Sequence, residues 1–147
     1  SSPQDDRYPE EGDLAVMIER SSTPPRLLLV DDEQGMRDTL VDILEDLGLQ
    51  VDQAANGQEA VGKAESCQYG LVLMDIRMPV MNGVEALRQI KGLWPDLPVI
   101  MMTAYTDAAE VKEALRQGAQ AVMYKPLDIP RLLDLIQRNL VAALEGE

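Results

Sequence analysis

Five polar residues stand at the ends of apolar runs, and their types describe one kind of chemistry. Asp31 and Asp32 follow "LLLV" (27–30), Asp75 follows "GLVLM" (70–74), Thr103 follows "PVIMM" (98–102) and Lys125 follows "AVMY" (121–124). Three carboxylates brought together repel one another, and each raises its neighbours' pKa unless a positive charge intervenes. Magnesium answers that need, because it prefers octahedral oxygen coordination, takes one or two carboxylates and keeps waters or phosphate oxygens for the rest. A bound divalent ion also keeps a neighbouring carboxylate ionised and nucleophilic. The Lys125 ammonium and the Thr103 hydroxyl would then supply a charge and a hydrogen bond to a transferring phosphoryl group. Phosphoryl transfer depends mainly on positioning and charge neutralisation, which this set provides. Each residue alone has an ordinary reading: an Asp at a strand end caps a helix or meets water, Thr103 caps the next segment, and Lys125 before Pro126 is a surface lysine. Their coincidence on one edge favours the chemical reading.

That coincidence depends on the elements that carry them. The four runs, with a weaker fifth in "LQVDQAA" (49–55), are near-continuous apolar stretches of the kind that suit parallel strands covered on both faces. Helical spacing lies between them. Residues 34–47 carry Met36, Leu40, Ile43, Leu44 and Leu47 and stop at Gly48. Residues 57–66 follow Asn56, 83–93 follow Asn82, 108–117 follow Asp107, and 129–144 follow Asp128 with Pro130 in the first turn. Strand–helix repeated five times predicts an α/β fold, a flavodoxin-like (βα)5 three-layer sandwich with a parallel sheet in the order 2-1-3-4-5. Ligands of such sheets bind beyond the carboxyl ends of the strands at the point where the order reverses. Strands one and three are neighbours there, so Asp31, Asp32 and Asp75 are expected to meet.

Composition narrows the alternatives. The 147-residue chain, 46% apolar, is long enough for one domain with a real core. It has no histidine, which removes Ser-His-Asp and Cys-His catalysis, histidine metal sites and a phosphohistidine of its own. A single cysteine, Cys67, excludes an internal disulfide and a cysteine zinc cluster and fits a reducing, cytoplasmic setting. The net charge of −13 argues against nucleic-acid contact or an anionic membrane surface and fits a cation site. No run approaches the length of a membrane helix, and the acidic N-terminus lacks a signal-peptide core. Ser1 without a preceding methionine reads as a processed chain or an excised fragment. Residues 1–25, with "SSPQDDRYPEEGD" and "RSSTPP", read as a disordered or extended N-terminal extension or linker ahead of a domain over 26–147. Within them "LAVMI" (14–18) is a linker end or a short element that docks on a neighbouring domain or subunit.

In order and spacing, "LLLVDDE", "LVLMDIRMPVMNG", "VIMMTAY" and "YKP" closely resemble the receiver domain of bacterial two-component response regulators. The resemblance covers about Arg26 to Leu144. It implies that Asp75 is the phosphorylated aspartate, that Asp32 ligates magnesium directly with Asp31 acting largely through water, and that the backbone carbonyl of Arg77 is a further ligand. Thr103 resembles the switch hydroxyl, followed by the small residue Ala104, and Lys125 the phosphate-pairing lysine, before a cis bond to Pro126. Ile76 to Met81 would form the metal-holding loop, stiffened by Pro79. The implied donor is a histidine kinase or histidine phosphotransfer protein. The implied output surface is the fourth predicted helix, the fifth strand and the fifth predicted helix, through which a homodimer would form.

Two positions depart from the pattern or colour it. Many receivers carry an aromatic residue three before the lysine; here that position is Val122, and Tyr124 or Tyr105 is the candidate to replace it as reporter. Arg77 and Tyr105, two residues after Asp75 and Thr103, are bulky and would slow the attack of water on a phosphoaspartate. Two rival functions remain: a magnesium-dependent aspartyl-phosphate phosphatase or phosphotransferase, against which Arg77 counts because such enzymes need a second carboxylate close after the nucleophile; and a non-phosphorylated dimerisation module, against which the full polar set counts.

Overall fold

The computed structural model describes residues 9–21, 24–105 and 107–145. In chain order they form α1 (Pro9–Arg20), β1 (Arg26–Val30), α2 (Gln34–Glu45), β2 (Gln50–Ala54), α3 (Gly57–Ser66), β3 (Leu71–Asp75), α4 (Gly83–Leu93), β4 (Val99–Thr103), α5 (Ala108–Arg116), β5 (Ala121–Tyr124) and α6 (Ile129–Glu145). All strand pairings are parallel and the order is β2-β1-β3-β4-β5, the flavodoxin-like arrangement expected from the sequence. No helix among the described residues is long and apolar enough to cross a membrane.

The apolar runs make a two-sided core because alternate strand residues point to opposite faces. Leu28, Val30, Val72, Met74, Val99 and Met101 face the layer that contains Ala60, Ala86, Leu87, Ile90 and Ala114 of α3, α4 and α5. Leu27, Leu29, Leu71, Leu73, Ile100 and Met102 face the other layer, with Leu40 and Leu44 of α2 and Leu132, Ile136 and Leu140 of α6. Every residue of β3 and β4 is buried. A strand with both faces covered has no position left for a solvated side chain, so its polar group must come at the end.

The helices start where their caps predict. The side chains of Asn56, Asn82 and Asp107 accept from the backbone N–H groups of Glu59, Val84 and Ala109, and Asp128 accepts from Arg131. The first predicted helix ends earlier than 47, at Glu45. There the chain tightens into turns in which Leu47 and Gly48 donate to Leu44 and Glu45. β3 and β4 each run one residue later than their apolar runs, so Asp75 and Thr103 are the last paired residues of their strands and not the first of their loops.

The N-terminal extension departs from expectation. Residues 1–8 and 22–23 lie outside the described residues, but Pro9–Arg20 is helix and not disordered or extended chain. A short docking element is the second expectation for this stretch, and the helix observed docks on α6 of its own chain. The cause is a pair four residues apart on one helix face, Leu14 and Ile18. Leu14 is 1% exposed and belongs to the core layer of α2 and α6, while Ile18 packs against it from the rim.

An isolated helix of this length is marginal in water, so α1 depends on that anchor. Leu14→Ala is expected to abolish amide hydrogen-exchange protection across α1 while the strands keep theirs. A global loss as large as a full core truncation, about 2–5 kcal/mol, would instead show that α1 folds as one unit with the sheet.

Candidate functional site

The sheet brings Asp31, Asp75 and Lys125 together from the ends of β1, β3 and β5. Lys125 Nζ lies 2.8 Å from Asp31 Oδ2 and 2.9 Å from Asp75 Oδ2, donating to both. Their other oxygens are held by the backbone: Asp31 Oδ1 accepts from Glu33 N–H at 2.9 Å and Asp75 Oδ1 from Arg77 N–H at 3.2 Å. Asp31 is wholly buried and Asp75 is 6% exposed, whereas Asp32 faces solvent. One carboxylate oxygen from each of Asp31, Asp32 and Asp75 lies within 4.8 Å of the others. Hard oxygen donors at that spacing fit a small divalent cation such as magnesium, whose ligand distances are about 2.0–2.1 Å. The expected convergence of the three aspartates is therefore present.

The electrostatics follow from burial. Desolvation pushes the Asp75 carboxyl above the usual carboxylate range, Asp31 adds to the rise, and Lys125 and the Arg77 N–H oppose it without cancelling it. Burial also works against the Lys125 ammonium. Its hydrogen bonds to Asp31 and Asp75 outweigh that and hold its pKa above the ordinary lysine value.

Backbone contacts fix where these groups stand. Lys125 N–H donates to Thr103 O at 2.8 Å, tying the end of β5 to the end of β4, and the Lys125–Pro126 peptide is cis. Thr103 is 1% exposed, and its Oγ1 accepts from Tyr105 N–H at 3.0 Å. A hydroxyl so engaged still has its own proton to donate. Ala104 is exposed beside it.

The loop after β3 is held as firmly. Gly83 N–H donates to Ile76 O at 2.7 Å, and Gly57 N–H to Met81 O at 3.3 Å. A Cβ at Gly83 would lie 2.1 Å from Asp75 O, and one at Gly57 would lie 2.6 Å from Met81 O. Both glycines are thus required by close backbone approach, and Gly83 lets α4 begin against the back of the Asp75 peptide. Between them Met81 N–H donates to Pro79 O across Val80, whose φ of 71° is strained for a β-branched residue. Met78 and Met81 pack onto the core.

The modulating positions separate into two groups. Val122 packs against the core beside α5 and Tyr124 is 50% exposed. Tyr105 is tied more closely to the site, through the Thr103 hydroxyl and through its ring, which lies 4.2 Å from the Arg77 guanidinium. Arg77 also donates from Nε to Glu110 Oε1 at 2.9 Å and approaches Asp107 Oδ2 at 3.6 Å. Sequence reasoning took Asp107 as a cap alone and passed over Glu110. Their spacing of three on one helical turn was the available signal. It likewise passed over Arg37, which donates to the Asp31 carbonyl and to Gln53 Oε1.

Residues 27–137 match the family model for the response regulator receiver domain. The chemotaxis protein CheY of Thermotoga maritima is 37% identical over 114 residues, which take in 77% of this chain and 95% of that protein. Sporulation initiation phosphotransferase F of Bacillus subtilis is 35% identical over 115 residues, 78% of this chain and 93% of that protein. The crystal structure of a CheY-like response regulator receiver domain protein from Methanospirillum hungatei superposes with a TM-score of 0.79 at 34% identity, covering 83% of this chain and 97% of that one. Against longer relatives the matched part is a fraction: 46% of a response regulator receiver protein of Anaeromyxobacter and 24% of the transcriptional regulatory protein ZraR of Klebsiella oxytoca.

The raised pKa of Asp75 has a consequence for stability. The folded chain holds that proton more tightly than the unfolded chain, so stability falls as pH rises from the ordinary carboxylate value through the raised one. In chelator, the stability of the wild type relative to Asp75→Asn is expected to decline across that window and level off above it. Parallel pH profiles from chemical denaturation would contradict the assignment.

Proposed function

Because this chain belongs to the response regulator receiver domain family of two-component signalling proteins, we propose that its site is a phosphoacceptor centre in which Asp75 takes a phosphoryl group from a phosphohistidine. The observation that carries the reading is the Lys125 ammonium bonded to both Asp31 and Asp75 at the mouth of the sheet. A carboxylate oxygen of Asp75 attacks phosphorus, the P–N bond to the donor imidazole breaks, and the electron pair returns to that nitrogen, which takes up a proton. Lys125 is already within reach of the Asp75 carboxylate and would pair with the oxygens of the arriving group. The Thr103 hydroxyl, which keeps its own proton while accepting from the Tyr105 N–H, would donate to another of those oxygens.

Asp31, Asp32, Asp75 and the Arg77 carbonyl would hold Mg2+, which when bound supplies charge neutralisation to the phosphoryl oxygens. The donor is another molecule or domain, a histidine kinase or histidine phosphotransfer protein, since this sequence contains no histidine. Movement of Thr103 would bias the positions of α5, β5 and α6. Exposed Leu115 on α5 and Tyr124 on β5 give that face the apolar surface a partner or a second copy would cover. The setting would be cytoplasmic. Arg77, committed to Glu110, Asp107 and Tyr105, leaves no carboxylate at the position where a turnover enzyme would need its acid and base.

Incubation with a small acyl phosphate such as acetyl phosphate should label the wild type only when magnesium is present, and Asp75→Ala should abolish the label. Undiminished labelling of Asp75→Ala, or steady turnover of a phosphomonoester by the wild type, would overturn the proposal.

A further inference from the structure

Two short connections leave the sheet side by side above Asp75 and Thr103. One carries Arg77 from the end of β3 and the other carries Tyr105 from the end of β4, and β3 and β4 are neighbours. Their side chains meet: the Arg77 guanidinium carbon lies 4.2 Å from the centroid of the Tyr105 ring. The contact therefore bridges the two connections that follow the buried Asp75, at 6% exposure, and Thr103, at 1%.

Neither side chain is fixed by packing, since Tyr105 is 52% exposed and the Arg77 side chain 43%. The span is positioned from outside. Arg77 Nε donates to Glu110 Oε1 at 2.9 Å, and Nη2 lies 3.6 Å from Asp107 Oδ2. Both acids belong to the start of α5, where Asp107 also caps the helix through Ala109 N–H. A guanidinium can face an aromatic ring and pair in its own plane with carboxylates at once, which an ammonium cannot do as well. A chain of contacts runs between the two strand ends: Asp75 Oδ1 to Arg77 N–H, Arg77 to Tyr105, and Tyr105 N–H to Thr103 Oγ1.

We propose that Glu110, assisted by Asp107, is a positioning residue that holds Arg77 over Tyr105 and so couples the lifetime of a phosphoryl group on Asp75 to the placement of the first turn of α5. The inference rests on the reading of Asp75 as the phosphoacceptor. In the reaction it controls, water oxygen attacks phosphorus and the P–O bond to Asp75 breaks. The electron pair returns to the carboxylate, and inorganic phosphate leaves with both of the water's protons, one of which it then passes to solvent. Arg77 and Tyr105 restrict the approach of that water, and Glu110 keeps them in place. A partner that presents a cation to Glu110 and Asp107 would release Arg77 and shorten the signal.

The test uses the full chain, labelled from acetyl phosphate with magnesium, freed of donor by desalting and followed for loss of the phosphoryl group. Glu110→Ala should accelerate the loss about two- to fivefold, the span to which the coupling of an exposed ion pair converts. Glu110→Asp should restore part of it, and the thermal midpoint should not move. In the Arg77→Ala background, already faster, Glu110→Ala should add nothing. Normal labelling with an unchanged lifetime in Glu110→Ala would overturn the proposal, as would an independent acceleration in the Arg77→Ala background. Failure of the wild type to label would overturn the phosphoacceptor reading itself and this inference with it.

Discussion

The Lys125 ammonium is the charge on which the site depends. It is drawn to 2.8 and 2.9 Å from two carboxylates that arrive from strands 94 and 50 residues earlier in the chain. Asp31 and Asp75 are buried beside each other, and a buried pair of like charges left without a counter-ion is strongly unfavourable. The order β2-β1-β3-β4-β5 sets β1 and β3 side by side and brings β5 to the same end of the sheet, where one lysine reaches both. The fold and the site are in that sense one requirement. The apolar residues specify a two-sided sheet, and the ends of its strands hold charges that the sheet's interior cannot accept.

Lys125 does not fully compensate the pocket. Asp75 remains above the usual carboxylate range despite its lysine partner, because burial outweighs the pairing. The third carboxylate, Asp32, stays in solvent with an oxygen within 4.8 Å of the other two. A pocket with three acids and one base is under-neutralised, and that imbalance is what a divalent cation would relieve. The strained turn at Val80 and the close packing of Gly83 on the Asp75 peptide belong to the same economy of space. Backbone strain at Val80 and close backbone approach at Gly83 both lie in the segment that directly follows the Asp75 carboxylate.

Much of this was legible in the sequence because its signals were local and coincident. The apolar runs, the Asn56, Asn82 and Asp107 caps, and the polar residue after each run fixed the strand–helix alternation, and the switch-point rule then placed Asp31, Asp32 and Asp75 together. What was not legible depended on contacts between distant segments. Leu14 and Ile18 sit in a polar, proline-bearing stretch whose composition argues against order, and only the surface of α6 makes a helix of it. The length of Arg77 was noted as an obstacle to water, but its partner Glu110 lies 33 residues away and is brought near only by the adjacency of β3 and β4. Between the two tyrosines offered in place of an aromatic at Val122, only the structure shows that Tyr105 touches both Arg77 and Thr103.

If Lys125 is the internal counter-ion of the acid pocket, it competes with a cation for Asp31 and Asp75. Calorimetric titration of magnesium into the wild type and Lys125→Met, at a pH where the carboxylates are ionised, measures that competition directly. Lys125→Met should bind magnesium more tightly, because the same three carboxylates face the metal without a rival positive charge. Equal or weaker binding by the folded variant would contradict it.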